Sequence, residues 1–181
     1  MRTAWIVLGT SLLGCGGGGG GGGGGNCPAF ATIVDGRFAR TGTTLTWTLE
    51  VEELPPELPF DRDGIPSFVL EYGWTVEIDA DGDGTEDLEV SAMHFKTDAP
   101  PRTAPPLSVL QVNLWTVDGA VSSITGSADA TIAGNTFTFT VEESEDPALA
   151  GVTAPSQSVY ATFHQVGPSI TDQCRDRYSP P

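Results

Sequence analysis

Residues 68–79 read FVLEYGWTVEID. Phe68, Leu70, Tyr72, Trp74, Val76 and Ile78 occupy every second position of this stretch without a break. A helix would scatter these side chains around its axis, whereas an extended strand lines them up on one face. The same period of two recurs in TTLTWTLEV, residues 43–51, where Leu45, Trp47, Leu49 and Val51 alternate with Thr44, Thr46, Thr48 and Glu50. It recurs again in TFTFTVEE, residues 136–143, with Phe137, Phe139 and Val141. Strands with one apolar and one polar face belong to a two-layer β structure.

Turn residues punctuate these runs. Asp35-Gly36, Asp118-Gly119 and Gly134-Asn135 each suit a two-residue hairpin. The one helical turn expected lies near EDPALAG, with Asp146 as N-cap and Pro147 at the first helical position. About eight to ten strands result, which predicts an all-β fold for residues 26–181: a single antiparallel β-sandwich of immunoglobulin-like or jelly-roll type. Trp47 and Trp74 fall in register with aliphatic residues and are expected in the core rather than on a sugar-stacking platform. Trp115, in a run apolar on both faces, is open to either reading.

Acidic residues number 24 against 8 basic, for a formal charge of −16. Such a body repels phosphate, which argues against nucleic acid and against electrostatic docking on anionic lipid. It attracts cations. With 39% hydrophobic residues in patterned runs, the composition is that of a folded chain rather than an acidic disordered one.

The beginning of the chain reads MRTAWIVLGTSLLGC. Arg2 is followed by an apolar run from Ala4 to Leu13, the length of a signal-peptide core and too short to span a bilayer. Its end, Leu12-Leu13-Gly14-Cys15, resembles the lipobox of bacterial lipoproteins. That resemblance implies a signal peptide over residues 1–14, cleavage before Cys15 and a diacylglycerol on its sulfur. The alternative is an ordinary secretory signal. Glycines 16–25 follow without interruption; they bury nothing and form a flexible tether reaching about 33–36 Å when stretched. Residues 15–25 thus read as anchor and linker, which puts the protein in the bacterial cell envelope, at the outer membrane or cell surface.

With Cys15 lipidated, Cys27 and Cys174 remain, one at each end of the body. In an exported protein they are expected to pair, contributing about 5 kcal/mol in the chain-entropy model. Pairing of Cys15 with Cys27 is the second choice.

Between two strand-like runs lies DADGDGTED, residues 79–87. Counting Asp79 as position 1, carboxylates fall at 1, 3, 5 and 9 (Asp79, Asp81, Asp83, Asp87), with Gly84 at 6 and the Thr85 carbonyl at 7. Calcium takes six to eight oxygens, and alternate positions of a tight loop turn toward a common centre. Held about 5 Å apart, each pair of carboxylates repels by about 0.8 kcal/mol even in water, of order 5 kcal/mol in all, and a cation removes that penalty. The stretch resembles the DxDxDG calcium loops of dockerins, thrombospondin type 3 repeats, integrin-type repeats and EF-hands. It departs from the EF-hand at position 12, Val90, and in its strand-like flanks, so the resemblance implies a calcium loop on a β-hairpin and no helix-pair switching. The alternative is a solvated Asp/Gly-rich turn. Glu77, Glu86 and Glu89 flank the loop and read as solvated, with a helper role at the ion as the alternative; Asp61 and Asp63 read as turn residues.

The connections over 54–66 and 96–106 are proline-rich and should lie together at the end away from the aspartate loop. They are either stiff connectors or a pre-ordered interaction surface. His94 and His164 lack metal-ligand spacing, no G-x-S-x-G elbow occurs, and no catalytic residue is assigned. His94 is expected in the core or on a sheet surface. The resulting expectation is a non-catalytic, lipid-anchored envelope module that binds a protein or glycan or serves as a structural surface protein. An envelope hydrolase with a loop-built site is the alternative.

Overall fold

A computed structural model describes residues 27–60, 69–95, 103–119, 121–165 and 173–180. The expected signal peptide (residues 1–14), Cys15, glycines 16–25, Asp61, Asp63 and Phe68 lie outside them. In chain order the strands are β1 (Ile33–Thr41), β2 (Thr44–Val51), β3 (Leu58–Pro59), β4 (Leu70–Ile78), β5 (Leu88–Phe95), β6 (Thr103–Ala104), β7 (Gln111–Asp118), β8 (Val121–Gly126), β9 (Asp129–Ala133), β10 (Thr136–Glu142), β11 (Ser158–Gln165) and β12 (Gln173–Tyr178). They form a four-stranded sheet β1-β2-β10-β9, a six-stranded sheet β12-β11-β4-β5-β7-β8 and a two-residue pairing of β3 with β6. Every pairing is antiparallel. This is the expected all-β sandwich.

The alternation read from the sequence is what closes the two layers. Leu45, Trp47, Leu49, Phe137, Phe139 and Val141 point inward from one sheet; Tyr72, Trp74, Val76, Ile78, Leu88, Val90 and Leu114 meet them from the other. Trp47 and Trp74 are both core residues, at 0% and 1% exposure. Burial of an indole strands its N–H unless a partner is supplied. Trp47 Nε1 donates to Ser158 Oγ (2.9 Å) and Trp74 Nε1 to the Phe30 carbonyl (2.9 Å). Trp115 is also buried, but on the outer face of the six-stranded sheet, where it pairs with Glu89 and Ile124 and donates to Ser91 Oγ at 2.7 Å.

One of the three expected turns is in place: Gly134 and Asn135 join β9 to β10. A second is shifted by one residue, because Asp118 ends β7 paired with Val121 and Gly119, also at positive φ, opens the connection to β8. Asp35-Gly36 is not a turn. It lies inside β1, next to a bulge, and the β1–β2 reversal is made by Gly42 (φ 62°) and Thr43. Gly36 meets a different demand: a Cβ there would run into the ring of Tyr160. The short helix after Asp146 is a 3-10 turn, Pro147–Gly151, whose Asp146 cap accepts the Ala148 N–H.

Cys27 and Cys174 form the expected disulfide across 147 residues of separation, Cα–Cα 5.3 Å. The described parts of the two proline-rich connections, residues 54–60 and 103–106, meet through the pairing of β3 with β6 at the end away from the aspartate loop; residues 61–66 and 96–102 lie outside the described residues. Among the described residues no helix is long and apolar enough to cross a membrane.

Candidate functional site

The aspartate loop is the tip of the β4–β5 hairpin. Its base is closed by the Asp87 N–H to the Ile78 carbonyl (2.9 Å) and fixed from outside by Gln157, whose carbonyl accepts the Asp79 N–H. The Gln157 amide donates to the carbonyls of Ala80 (3.1 Å) and Gly151 (3.1 Å). Within the loop, carboxylates accept from backbone. Asp79 takes the N–H groups of Gly82, Asp83 and Gly84, and Asp87 Oδ2 takes those of Ala80 and Asp81. Gly82 and Gly84 sit at φ 79° and 90° with open space around them, so backbone conformation and not crowding selects glycine there.

These bonds draw one oxygen each of Asp79, Asp81 and Asp87 to within 4.8 Å of one another. Asp83 is not part of that group. It is exposed, and its Oδ1 accepts the Thr85 N–H at 2.7 Å. An all-oxygen, all-anionic donor set suits a hard cation. Among the described residues, the loop's hydrogen bonds reach Asp81 through Oδ1 and Asp87 through Oδ2. Three side chains fall short of the six to eight oxygens calcium takes, so further ones have to come from the rest of the loop or from water.

Glu77, Glu86 and Glu89 are not simply solvated as expected; each is only partly exposed. The register sets Glu77 directly opposite Glu89 on the outer sheet face. Burial, then Glu77 and Glu89, push the Glu86 carboxyl up to about 8, and burial followed by Glu77 pushes Glu89 up to about 7. Glu77 is raised by burial against the pull of Arg177, its ion-pair partner. Burial at the base of the hairpin thus disfavours the charged form of Glu86 and Glu89.

A second polar cluster, which sequence spacing did not reveal, lies at the opposite end. His94 Nδ1 is 2.8 Å from Glu71 Oε2, an ion-pair distance without the alignment of a hydrogen bond. Glu71 is 1% exposed and His94 5%. Across β4, His164 stacks on Tyr72 at 4.8 Å between ring centres. Burial pushes its imidazole down to about 4, against a smaller upward pull from Glu71. The bulge between Leu70 and Tyr72 gathers these groups by turning Glu71 out of alternation, toward the side that faces His94. A bulge leaves no signature in hydrophobic periodicity.

Comparison with protein families, characterised proteins and solved structures returned no match for this chain.

Proposed function

We propose that this chain is a lipid-anchored protein of the bacterial envelope whose β-sandwich is a non-catalytic binding or structural surface module stabilised by calcium. The observation that carries the calcium assignment is the convergence of Asp79, Asp81 and Asp87 at the hairpin tip. Asp83 and the Thr85 carbonyl are the further ligands in this reading. The anchor rests on Leu12-Leu13-Gly14-Cys15 followed by the glycine tether. The acidic body, held off an anionic membrane by that tether, would present its sheet faces and its proline-rich end to a protein or glycan.

A thermal melt of residues 26–181 with saturating calcium and then with chelator, disulfide intact, tests the ion site. Calcium at a hundred times its dissociation constant adds about 2.7 kcal/mol. For a body of this size that raises Tm by roughly 5–11 °C. Replacing Asp81 and Asp83 with asparagine should abolish the rise; an unchanged Tm at millimolar calcium would sink the assignment. Globomycin-sensitive processing and labelled-palmitate incorporation, lost in Cys15→Ala, test the anchor.

The second reading, an envelope hydrolase, draws on one observation: the Glu71–His94 pair, titratable groups brought together well away from the aspartate loop. Both side chains are buried and Phe60 covers the His94 ring at 4.1 Å. A general base has to reach a substrate proton, and here aromatic packing stands in the way. The non-catalytic reading is therefore preferred.

A further inference from the structure

We propose that strand β8 is the docking edge for a second copy of this chain. The two β8 strands pair antiparallel about a twofold axis and extend the six-stranded sheet across both molecules. No ion is needed for this pairing. A strand at the end of a sheet offers a row of unpaired N–H and C=O groups, and proteins blunt such edges with charge, cover or closure. β8 ends the six-stranded sheet, with β7 as its one ladder partner among the described residues. Its sequence, VSSITG, carries no charge. Val121 and Ile124 stand 55% and 56% exposed.

The other three edges of the two main sheets are managed. β1 and β12 are stitched to each other: the Ile33 N–H donates to Asp176 (2.8 Å) and the Tyr178 hydroxyl to Asp35 (3.3 Å). The Cys27–Cys174 disulfide fastens β12 as well. Both strands are charged, β1 through Asp35, Arg37 and Arg40 and β12 through Arg175, Asp176 and Arg177. β9, the far edge of the four-stranded sheet, begins with the exposed Asp129. On β8 only the C-terminal end is engaged. A bulge falls at Thr125, whose hydroxyl donates to Asp146 (2.9 Å), and the Ser127 N–H donates to Glu145 (2.7 Å). The regular edge left open is residues 121–124.

Charge selects the occupant. The chain carries a formal charge of −16, so two copies repel wherever their carboxylates face each other. Residues 121–124 can meet themselves with no charge apposed. A twofold axis makes that contact isologous, the same patch serving on both copies. Each face of the sheet then runs on into the partner. On the outer face the register sets Glu89, Trp115 and Ile124 in one row, so an added strand covers the Ile124 side chain beside the buried indole. Pairing uses the β8 edge of both molecules, and assembly stops at two. A basic foreign strand would be drawn by charge, which this edge lacks, and an acidic one would be repelled by the body behind it.

Analytical ultracentrifugation of the full chain, from micromolar to millimolar concentration with the disulfide intact and calcium fixed, tests the pairing. A monomer–dimer equilibrium should appear and should tighten as salt is raised, because screening relieves repulsion between the acidic bodies. Ile124→Lys and, separately, Ser123→Lys should weaken it about tenfold or more by setting like charges across the axis. Thr48→Lys, which adds the same charge to the outer face of the other sheet, should not weaken it. Melts at low concentration check that each variant keeps its fold. Ser122→Cys, Ser123→Cys and Ile124→Cys, made singly in the full chain, should yield a disulfide-linked dimer at the position nearest the axis; Thr48→Cys should not. A monomer at every concentration would overturn the proposal. So would association that runs past two copies, weakens with salt or persists unchanged in both β8 lysine variants. Cross-linking of the β8 cysteines to a different protein, with no dimer formed, would overturn it too.

Discussion

Gly36 and Tyr160 show how one side chain can dictate another residue's identity from a distant strand. The Tyr160 ring occupies the volume where a β-carbon of residue 36 would stand. Gly36→Ala should destabilise the fold by about 1–3 kcal/mol, as overpacking does, and Gly36→Ala combined with Tyr160→Leu should recover part of it. Denaturant melts of the single and double variants measure the coupling. His164 carries a pH prediction of defined sign. Its imidazole titrates at about 4 in the folded protein and near 6.5 when exposed. Above pH 6.5 it is neutral in both states and affects nothing. As pH falls from 6.5 to about 4 only the unfolded chain takes the proton, so stability declines through that window. Global Tm measured across it should fall in the wild type and fall less in His164→Phe.

At the scale of elements, the aspartate hairpin is a loop organised by its own backbone and pinned by a neighbour. Gln157 reaches from outside the hairpin to the carbonyls of Ala80 and Gly151. Gln157→Leu leaves those acceptors unpaired and should cost about 1–3 kcal/mol, with a weaker response to calcium if the tip loosens with its base. Melts with and without calcium separate the two effects. Much of this hairpin was legible in advance. Its strands, its tip and its acidic residues follow from a period of two interrupted by Asp and Gly, all of it local in sequence. That Asp83 stands apart from the other three aspartates was not legible, because which carboxylates converge depends on which backbone N–H groups each one captures. Strand β8 poses the opposite problem. It is an edge strand with Val121 and Ile124 more than half exposed and no charged residue between them. Ile124→Lys should leave Tm nearly unchanged while reducing aggregation at high protein concentration, read by light scattering.

For the whole molecule, the disulfide ties the chain's two ends across 147 residues of separation and secures β12 at the sheet edge. Reduction should lower stability by about 2–5 kcal/mol, seen as an earlier denaturant midpoint. The fold class, the inward faces of the long strands, the cystine pair and the acidic loop were all determined by the sequence itself. Each is a property of spacing or composition that survives without knowing which strands are neighbours. Tertiary structure alone decided the rest. Asp35-Gly36 has the chemistry of a turn, but it became mid-strand because β1 pairs with β2 through a reversal at Gly42 and packs Gly36 under a tyrosine from the other sheet. Glu77 and Glu89 became a facing pair by register. Buried Glu71 and His94 and half-buried His164, far apart in sequence, came together through a single bulge and the pairing of three strands. Local pattern specifies which face a residue takes, but only non-local register specifies what it meets there.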